Sequence, residues 1–133
     1  MTDLVFFYGT LMSGFSRHGR SRIEPILSLE GRGWIGAALF DLGIYPAAIR
    51  ASDSRVRGEI YLMLDREAAL AALDEIEGYR ADQPDSSLYT RAETPVTFDD
   101  GHVADAWVYF YNAPLGRAER IPSGDYLQHL KIT

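Results

Sequence analysis

Apolar and polar residues follow one another along this chain in short runs that predict a series of β-strands. Leu4–Phe7 is an apolar, partly aromatic run that stops at a Tyr-Gly pair, which is typical of a buried strand leading into a tight turn. A second strand is predicted over Gly33–Leu42, and Gly43–Pro46 interrupts the pattern before Ala47–Arg50. Over Arg55–Leu64, apolar positions alternate with mixed ones, which predicts a strand with one apolar and one mixed face.

The segment from Asp65 to Gly78 carries the clearest helix signals in the sequence. Asp65 is a residue type that caps helix N-termini, Glu67 suits the first turn, and alanines and leucines fill the interior. Gly78 stands where a glycine commonly ends a helix. The pattern therefore predicts one amphipathic helix that begins after Asp65 and ends at Gly78.

Two further strands are predicted over Tyr89–Phe98 and Val103–Tyr111. They follow a polar, proline-containing loop at Arg80–Ser87 and are separated by Asp99–Gly101, whose Asp-Gly pair is typical of a hairpin turn. The second of these strands has apolar or aromatic residues on both faces. Burial on two sides indicates a central or barrel strand that is covered by a helix.

These elements predict a single α+β domain over residues 1–133. About six strands and one well-marked helix favour a twisted mixed or antiparallel sheet that closes towards a small β-barrel, with helices packed outside. The sequence contains no internal repeat and no low-complexity stretch, and the connection at Asn112–Pro122 is too short to separate two domains. A chain of this length ordinarily folds around one hydrophobic core.

Composition and charge narrow the range of functions. The 133 residues include no cysteine, so disulfides, thiol nucleophiles and thiolate metal sites are excluded. The net charge is −6, and the basic residues are scattered except for Arg17, Arg20 and Arg22 around His18. Binding to a phosphate backbone depends on many lysine and arginine contacts, so this composition argues against a nucleic-acid partner.

The sequence also gives no indication of a metal, a cofactor or a membrane anchor. His18, His102 and His129 do not have the spacing of metal ligands, and neither a dinucleotide-binding fingerprint nor a P-loop is present. No apolar run reaches 18 residues, and the N-terminal residues lack the pattern of a signal peptide. We therefore expect a soluble cytoplasmic protein that works without a metal or cofactor.

Glu77 differs from the other acidic residues of the predicted helix. The inward stripe of that helix consists of Leu70, Leu73 and Ile76, helped by Ala69 and Ala72. Glu77 projects at the edge of the stripe, whereas the same helical wheel turns Asp74 and Glu75 towards water. Desolvation disfavours the charged form of a carboxyl group, so burial is expected to raise the pKa of Glu77 towards the range of an acid/base catalyst. The alternative is a rim residue that bonds to a loop and performs no chemistry.

The turn after the first strand, Tyr8-Gly9-Thr10-Leu11, is the second candidate site. Backbone N–H groups that follow a strand-end glycine can receive an anionic or carbonyl oxygen. The alternative is an ordinary turn in which Tyr8 and Leu11 only fill the core. A serine hydrolase has weak support, because Thr10, Ser13 and Ser16 have no evident base nearby and the G-x-S-x-G motif is missing.

Six short strings occur in order along almost the whole chain: FFYGTLM (6–12), GIYPA (43–47), VRGEIY (56–61), LDEIEGY (73–79), YTR (89–91) and AWVY (106–109). In this order and at these separations, the chain resembles the γ-glutamylcyclotransferase-like (AIG2-like) family. The resemblance implies a compact mixed β-barrel with flanking helices and a cavity at one end.

The resemblance also implies residue roles. The family's catalytic glutamate falls on Glu77, and its substrate-binding loop falls on Tyr8, Gly9, Thr10 and Leu11. Further cavity-lining positions that it implies are Tyr45, Pro46, Tyr89, Arg91 and Tyr126. Glu59 is a rival acid, although its place in an alternating strand favours a structural hydrogen bond.

The activity implied is the cyclisation of a small γ-glutamyl compound to 5-oxoproline, with release of an amine or amino acid. Two alternatives remain open, namely a non-catalytic or differently specialised family member that binds a small metabolite and an interaction module with an exposed apolar patch. The identity of the γ-glutamyl compound and the oligomeric state cannot be predicted from the sequence. Loops such as Ser13–Glu24 and Arg80–Leu88 are expected to form the leaving-group side of the pocket.

Overall fold

Six strands and three short helices make up the fold in the computed structural model, which describes residues 1–13, 15 and 20–132. The strands are β1 (Leu4–Phe7), β2 (Leu27–Asp41), β3 (Pro46–Met63), β4 (Tyr89–Phe98), β5 (Val103–Tyr111) and β6 (Glu119–Ile121). The helices are α1 (Arg20–Ile23), α2 (Arg66–Glu77) and α3 (Tyr126–Ile132), with 3₁₀ turns at Glu24–Ile26 and Pro84–Ser86. Within the described ranges, no helix has the length and apolar character needed to cross a membrane.

The strands form one sheet in the order β3-β1-β5-β4-β2-β6, and β2 also pairs with β3. That additional pairing closes five strands into a ring and leaves β6 on the outside, at the end of β2. β1 runs parallel to β5, with Val5 opposite Trp107, whereas the other strand pairs are antiparallel. The predicted α+β fold, a small mixed β-barrel with flanking helices, is therefore confirmed.

The long hairpin of β2 and β3 closes the barrel, and here the strand prediction needs two corrections. β2 begins at Leu27 rather than Gly33, and β3 is one continuous strand where the sequence indicated two. The register shifts within it, because Gly36 pairs with Arg55 whereas the next residue, Ala37, pairs with Arg50. The extra residues 51–54 of β3 form a bulge, and their polar character interrupts the apolar pattern without ending the strand.

The hairpin of β4 and β5 agrees with the sequence pattern. Thr97 pairs with Val103, and the Gly101 N–H donates to the carbonyl of Phe98 at 2.9 Å across the predicted turn. β5 lies between β1 and β4 in the sheet. Both faces of its C-terminal half are buried, as shown by Val108 and Tyr109, so the prediction of a central strand is confirmed.

Helix α2 begins and ends where its capping signals predict. The Asp65 carboxylate accepts a hydrogen bond from the Ala68 N–H at 3.1 Å, which satisfies one of the free donors of the first turn. Gly78 adopts a left-handed conformation with φ 70°, which glycine tolerates without the steric cost of a Cβ. Of the predicted stripe the helix buries Ala69, Leu70, Ala72 and Leu73, whereas Ile76 is only partly buried.

Helices α1 and α3 and strand β6 were not predicted from the sequence. β6 lies inside the connection Asn112–Pro122 and pairs with β2 through only three residues. Such a short element has no apolar periodicity that a pattern could detect. α3 follows it and buries Tyr126, whose ring stacks on Phe15 with the centroids 6.0 Å apart.

Candidate active site

Glu77 is the last residue of α2, and its side chain is 7% exposed. It is one of four buried polar or charged residues among those described; the others are Glu59, Ser87 and Thr94. The cap of Asp65 at one end and Gly78 at the other fix the register of the helix, and hence the direction in which Glu77 projects. The predicted burial of this carboxyl group is confirmed.

The turn that follows β1 lies against the β2–β3 hairpin. The Met12 N–H donates to the carbonyl of Gly9 at 3.0 Å, which closes the turn, and the Tyr8 hydroxyl donates to the carbonyl of Tyr109 at 2.6 Å. Gly9 is in close contact with Pro46, since a Cβ at position 9 would lie 2.7 Å from the proline Cγ. Glycine is required here by proximity rather than by an unusual backbone angle.

Glu77 and the turn line the same cavity. Its walls consist of Phe6, Phe7, Tyr8, Gly9, Thr10, Leu11, Tyr45, Pro46, Glu77, Tyr89 and Tyr109. The lining therefore combines the end of β1, the start of β3, the end of α2 and residues of β4 and β5. These segments are distant in sequence, and the closure of the barrel brings them together.

The lining is aromatic and almost uncharged. Among the described residues that line it, Glu77 is the one carboxylate, and no lysine, arginine or histidine is present. Tyr89 donates its hydroxyl to the carbonyl of Pro46 at 3.0 Å and meets Tyr45 edge to face, with centroids 6.2 Å apart. An anion bound here would therefore have to be met by backbone N–H groups and hydroxyls, as the composition of the turn predicts.

Tyr109 is a cavity residue that the sequence analysis did not single out. Its ring lines the cavity, while its hydroxyl donates to Asp74 Oδ1 at 2.5 Å. Burial, followed by this hydrogen bond and the negative charges of Asp74 and Glu77, raises the pKa of Tyr109 far above the ordinary value of a phenol. The hydroxyl therefore stays protonated and acts as a donor. Its role could not be predicted because it depends on a helix that lies elsewhere in the sequence.

Two of the expected cavity residues lie elsewhere. Tyr45, Pro46 and Tyr89 line the cavity as expected, but Arg91 and Tyr126 do not. Arg91 is held outside by Asp74, and the ring of Tyr126 packs between those of Phe15 and His129. The resemblance to the family implied that both residues line the cavity, but in this fold both make other contacts instead.

The helical-wheel prediction for Asp74 was also wrong. Its side chain is 20% exposed rather than directed to water, because β4 and β5 lie alongside α2 and supply Arg91 and Tyr109 as partners. Glu75 behaves as predicted: its side chain is 72% exposed, where it pairs with Arg22 at 3.0 Å. A helical wheel identifies one apolar stripe, so it cannot show that strands β4 and β5 contact a second side of the same helix.

Glu59, the rival acid, is buried on the other side of the turn and makes the structural hydrogen bonds that its strand position favoured. Its carboxylate accepts from the N–H and the hydroxyl of Ser13, at 2.7 and 2.6 Å. The Tyr61 hydroxyl donates to it at 3.0 Å, and an Arg32 nitrogen lies 3.7 Å away. Glu59 does not line the cavity.

None of the remaining candidates that the structure describes lines the cavity. Ser13 is bound to Glu59, whereas Ser16, Arg17 and His18 lie outside the described residues. No described residue of Ser13–Glu24 or Arg80–Leu88 lines the cavity. His102 and His129 pair with different aspartates, and the described ranges contain no group of three or more histidine, aspartate or glutamate side chains that could hold a metal ion.

Comparison with known proteins identifies the family. Residues 5–128 match the family model described as "Gamma-glutamyl cyclotransferase, AIG2-like". A Vibrio cholerae protein named "Putative gamma-glutamylcyclotransferase" is 35% identical over 130 residues, which cover 98% of this chain and all of that protein.

Two solved structures have the same fold. The ytfP protein of Escherichia coli is 28% identical with a TM-score of 0.66, over 95% of this chain and 97% of that one. An AIG2-like protein of Mus musculus is 22% identical with a TM-score of 0.68, over 93% of this chain and 87% of that one. The family model and the Vibrio relative both span nearly the full length of the chain, and the barrel agrees with them. The chain belongs to the gamma-glutamyl cyclotransferase, AIG2-like family.

Proposed function

We propose that this protein is a γ-glutamylcyclotransferase-type enzyme that converts a γ-glutamyl amine or γ-glutamyl amino acid to 5-oxoproline and releases the amine. The observation that carries the proposal is the buried Glu77 carboxylate in a cavity that it shares with the Tyr8–Leu11 turn. A group able to move a proton and a turn whose backbone can supply hydrogen-bond donors thus line the same cavity.

The reaction is an intramolecular aminolysis. The α-nitrogen of the γ-glutamyl group attacks its own γ-carbonyl carbon, a new C–N bond closes a five-membered ring, and the C–N bond to the leaving amine breaks. An ammonium cannot attack, so Glu77 accepts its proton and afterwards returns it to the leaving nitrogen. Both protons that the α-nitrogen loses end on the released amine, which departs as an ammonium ion.

The turn would hold the substrate in the pose that cyclises. Its backbone N–H groups would bind the α-carboxylate or the oxygen of the tetrahedral intermediate, a stabilisation often worth about 3 kcal/mol. The aromatic walls exclude water around the reacting atoms and strengthen each electrostatic contact. No step requires a metal ion or a cofactor.

The test is to incubate the purified protein with a panel of γ-glutamyl amines, γ-glutamyl amino acids and ε-(γ-glutamyl)-lysine, and to measure 5-oxoproline. We expect turnover of at least one compound. Glu77→Gln should lower kcat at least ~100-fold while substrate binding, measured by calorimetry, is largely preserved, because the amide keeps the shape but cannot accept the proton.

Glu75→Gln is the matched control, because Glu75 belongs to the same helix turn but its side chain is 72% exposed. Its turnover should stay within ~2-fold of the unmodified protein. Undiminished turnover in Glu77→Gln would refute the mechanism. Binding without turnover across the panel would instead identify the protein as a metabolite-binding member of the family.

A further inference from the structure

Asp74 lies one helical turn before Glu77 and connects α2 to the barrel. Its Oδ1 accepts from Arg91 Nε at 2.8 Å and from the Tyr109 hydroxyl at 2.5 Å, and its Oδ2 accepts from an Arg91 terminal nitrogen at 3.3 Å. These donors come from β4 and β5, whereas Asp74 belongs to the helix. The carboxylate therefore ties the end of α2 to two strands at once.

The partners of Asp74 are themselves fixed. The Arg91 guanidinium carbon lies 4.7 Å from the ring centroid of Trp107 and 5.3 Å from that of Tyr79, and its side chain is only 19% exposed. Trp107 in turn donates its indole N–H to the carbonyl of Thr2 at 3.2 Å. A planar guanidinium between two rings has little freedom to move, so it presents its nitrogens to Asp74 in one orientation.

The same network reaches the cavity. The Tyr109 ring lines the cavity beside Glu77, and its hydroxyl leaves the cavity to bond with Asp74. The main chain adds a further bond, because the Tyr79 N–H donates to the carbonyl of Asp74 at 2.8 Å. Asp74 is thus restrained by hydrogen bonds to its side-chain carboxylate and to its main-chain carbonyl oxygen, one helical turn before Glu77.

Glu77 needs such support because it occupies the last position of its helix. The final turn of a helix has carbonyl groups without partners inside the helix, and it frays most readily. In α2 the Gly78 and Tyr79 N–H groups bond to the carbonyls of Asp74 and Glu75, and the Asp74 carboxylate adds a restraint from the side chain. A displacement of about 1 Å in a catalytic group can lower the rate about 100-fold. A contact made one turn earlier restrains this displacement without occupying the cavity.

We propose that Asp74, held by Arg91 and Tyr109, is the positioning residue that fixes the last turn of α2 and thereby keeps the Glu77 carboxylate in the cavity. This inference rests on the acid/base role proposed above for Glu77. Asp74 acts through the helix and does not touch the substrate, because it does not line the cavity.

The test compares Asp74→Ala, Asp74→Asn and Arg91→Lys with a control on the same helix, Glu75→Gln, which removes the charge of Glu75 from its exposed pair with Arg22 of α1. Asp74→Ala should lower kcat, corrected for the folded fraction, at least ~30-fold while KM changes less than ~3-fold. Asp74→Asn, which keeps an acceptor oxygen at Oδ1, should retain several-fold more activity than Asp74→Ala. Arg91→Lys should lie between them, because lysine cannot reproduce the two-nitrogen contact.

A second measurement does not depend on activity. Amide hydrogen exchange of residues 76–78 should accelerate ~10-fold in Asp74→Ala relative to residues 70–73, because local fraying affects the last turn first. If the unmodified protein yields no 5-oxoproline, the proposed function fails and exchange alone decides the positioning role. Equal acceleration in both segments, or a kcat for Asp74→Ala within ~3-fold of the unmodified protein, would overturn the proposal.

Discussion

At the scale of single residues, the candidate site depends on a close packing contact between Gly9 and Pro46. Gly9 and Pro46 touch so closely that a single methyl group at position 9 would lie 2.7 Å from one proline carbon and 2.9 Å from another. Both residues line the cavity. The contact therefore fixes how far the Tyr8–Leu11 turn stands from the β2–β3 hairpin.

Gly9→Ala should consequently lower the free energy of unfolding by about 1–3 kcal/mol, the usual cost of overpacking. Urea denaturation measures the change. In a Pro46→Ala background the same substitution should cost less, because the ring atoms that it meets are gone. An equal cost in both backgrounds would show that the Gly9–Pro46 contact does not limit residue size.

The residue scale also shows what a sequence pattern can and cannot predict. The helical wheel was sufficient to predict the burial of Glu77, because its position relative to the leucine stripe follows from the sequence of α2 alone. The environment of Asp74 depends on Arg91 and Tyr109, which belong to strands that reach the helix only in the folded protein. The sequence pattern of α2 alone contains no information about these contacts between the helix and the strands.

At the scale of elements, the docking of α3 depends on the turn that precedes it. The Gly124 carbonyl accepts a hydrogen bond from the Arg57 N–H at 2.7 Å, which joins this turn to β3. Gly124 has φ 67°, and a Cβ there would lie 1.9 Å from the carbonyl oxygen of Arg55. Gly116 has a similar φ of 59° but faces open space.

These two glycines form a matched pair. Gly116→Ala should cost about 1 kcal/mol of stability, which is the penalty of a left-handed backbone. Gly124→Ala carries that penalty and a backbone clash, and should cost about 3 kcal/mol. Thermal denaturation of both variants measures the difference. Similar losses of stability would mean that the chain around Gly124 can move away from β3 at little cost in free energy.

Element prediction succeeded where local chemistry defines the boundaries. The caps of α2 and the Asp-Gly turn between β4 and β5 are short-range signals, and both elements have their predicted extents. β6 has no comparable signal, because Glu119–Ile121 is a strand only through its pairing with Leu39–Asp41. α3 has a capping residue, since the Asp125 carboxylate accepts from the Gln128 N–H at 3.2 Å, but its seven residues are too few for an apolar period to be recognised.

At the scale of the whole molecule, buried tyrosines make stability depend on alkaline pH. The pKa of Tyr109 is raised above its value in the unfolded chain, chiefly by burial, and burial also raises the pKa values of Tyr61 and Tyr126. Below about pH 10 all three are protonated in both states, so they cause no change. Above that pH the unfolded chain loses protons that the folded chain keeps, and stability falls by up to about 1.4 kcal/mol per pH unit through Tyr109. Tyr61 and Tyr126 act in the same direction between their unfolded and folded pKa values.

Tyr109→Phe should therefore make the loss of stability between pH 10 and 11.5 less steep by up to about 1.4 kcal/mol per unit. Urea denaturation at several pH values measures the slope. Part of the slope should persist, because Tyr61 and Tyr126 are unchanged. A slope equal to that of the unmodified protein would show that the folded protein also releases the Tyr109 proton in this range.

The parallel pairing of β1 with β5 determines when the cavity can form. β1 has only four residues and lies between β3 and β5. It can pair with β3 early, but its parallel partner β5 lies about 100 residues further along the chain, and contacts between distant segments carry the larger loop-closure cost. An incomplete chain can build α2 with Glu77 at its end, but it cannot yet enclose that carboxyl group.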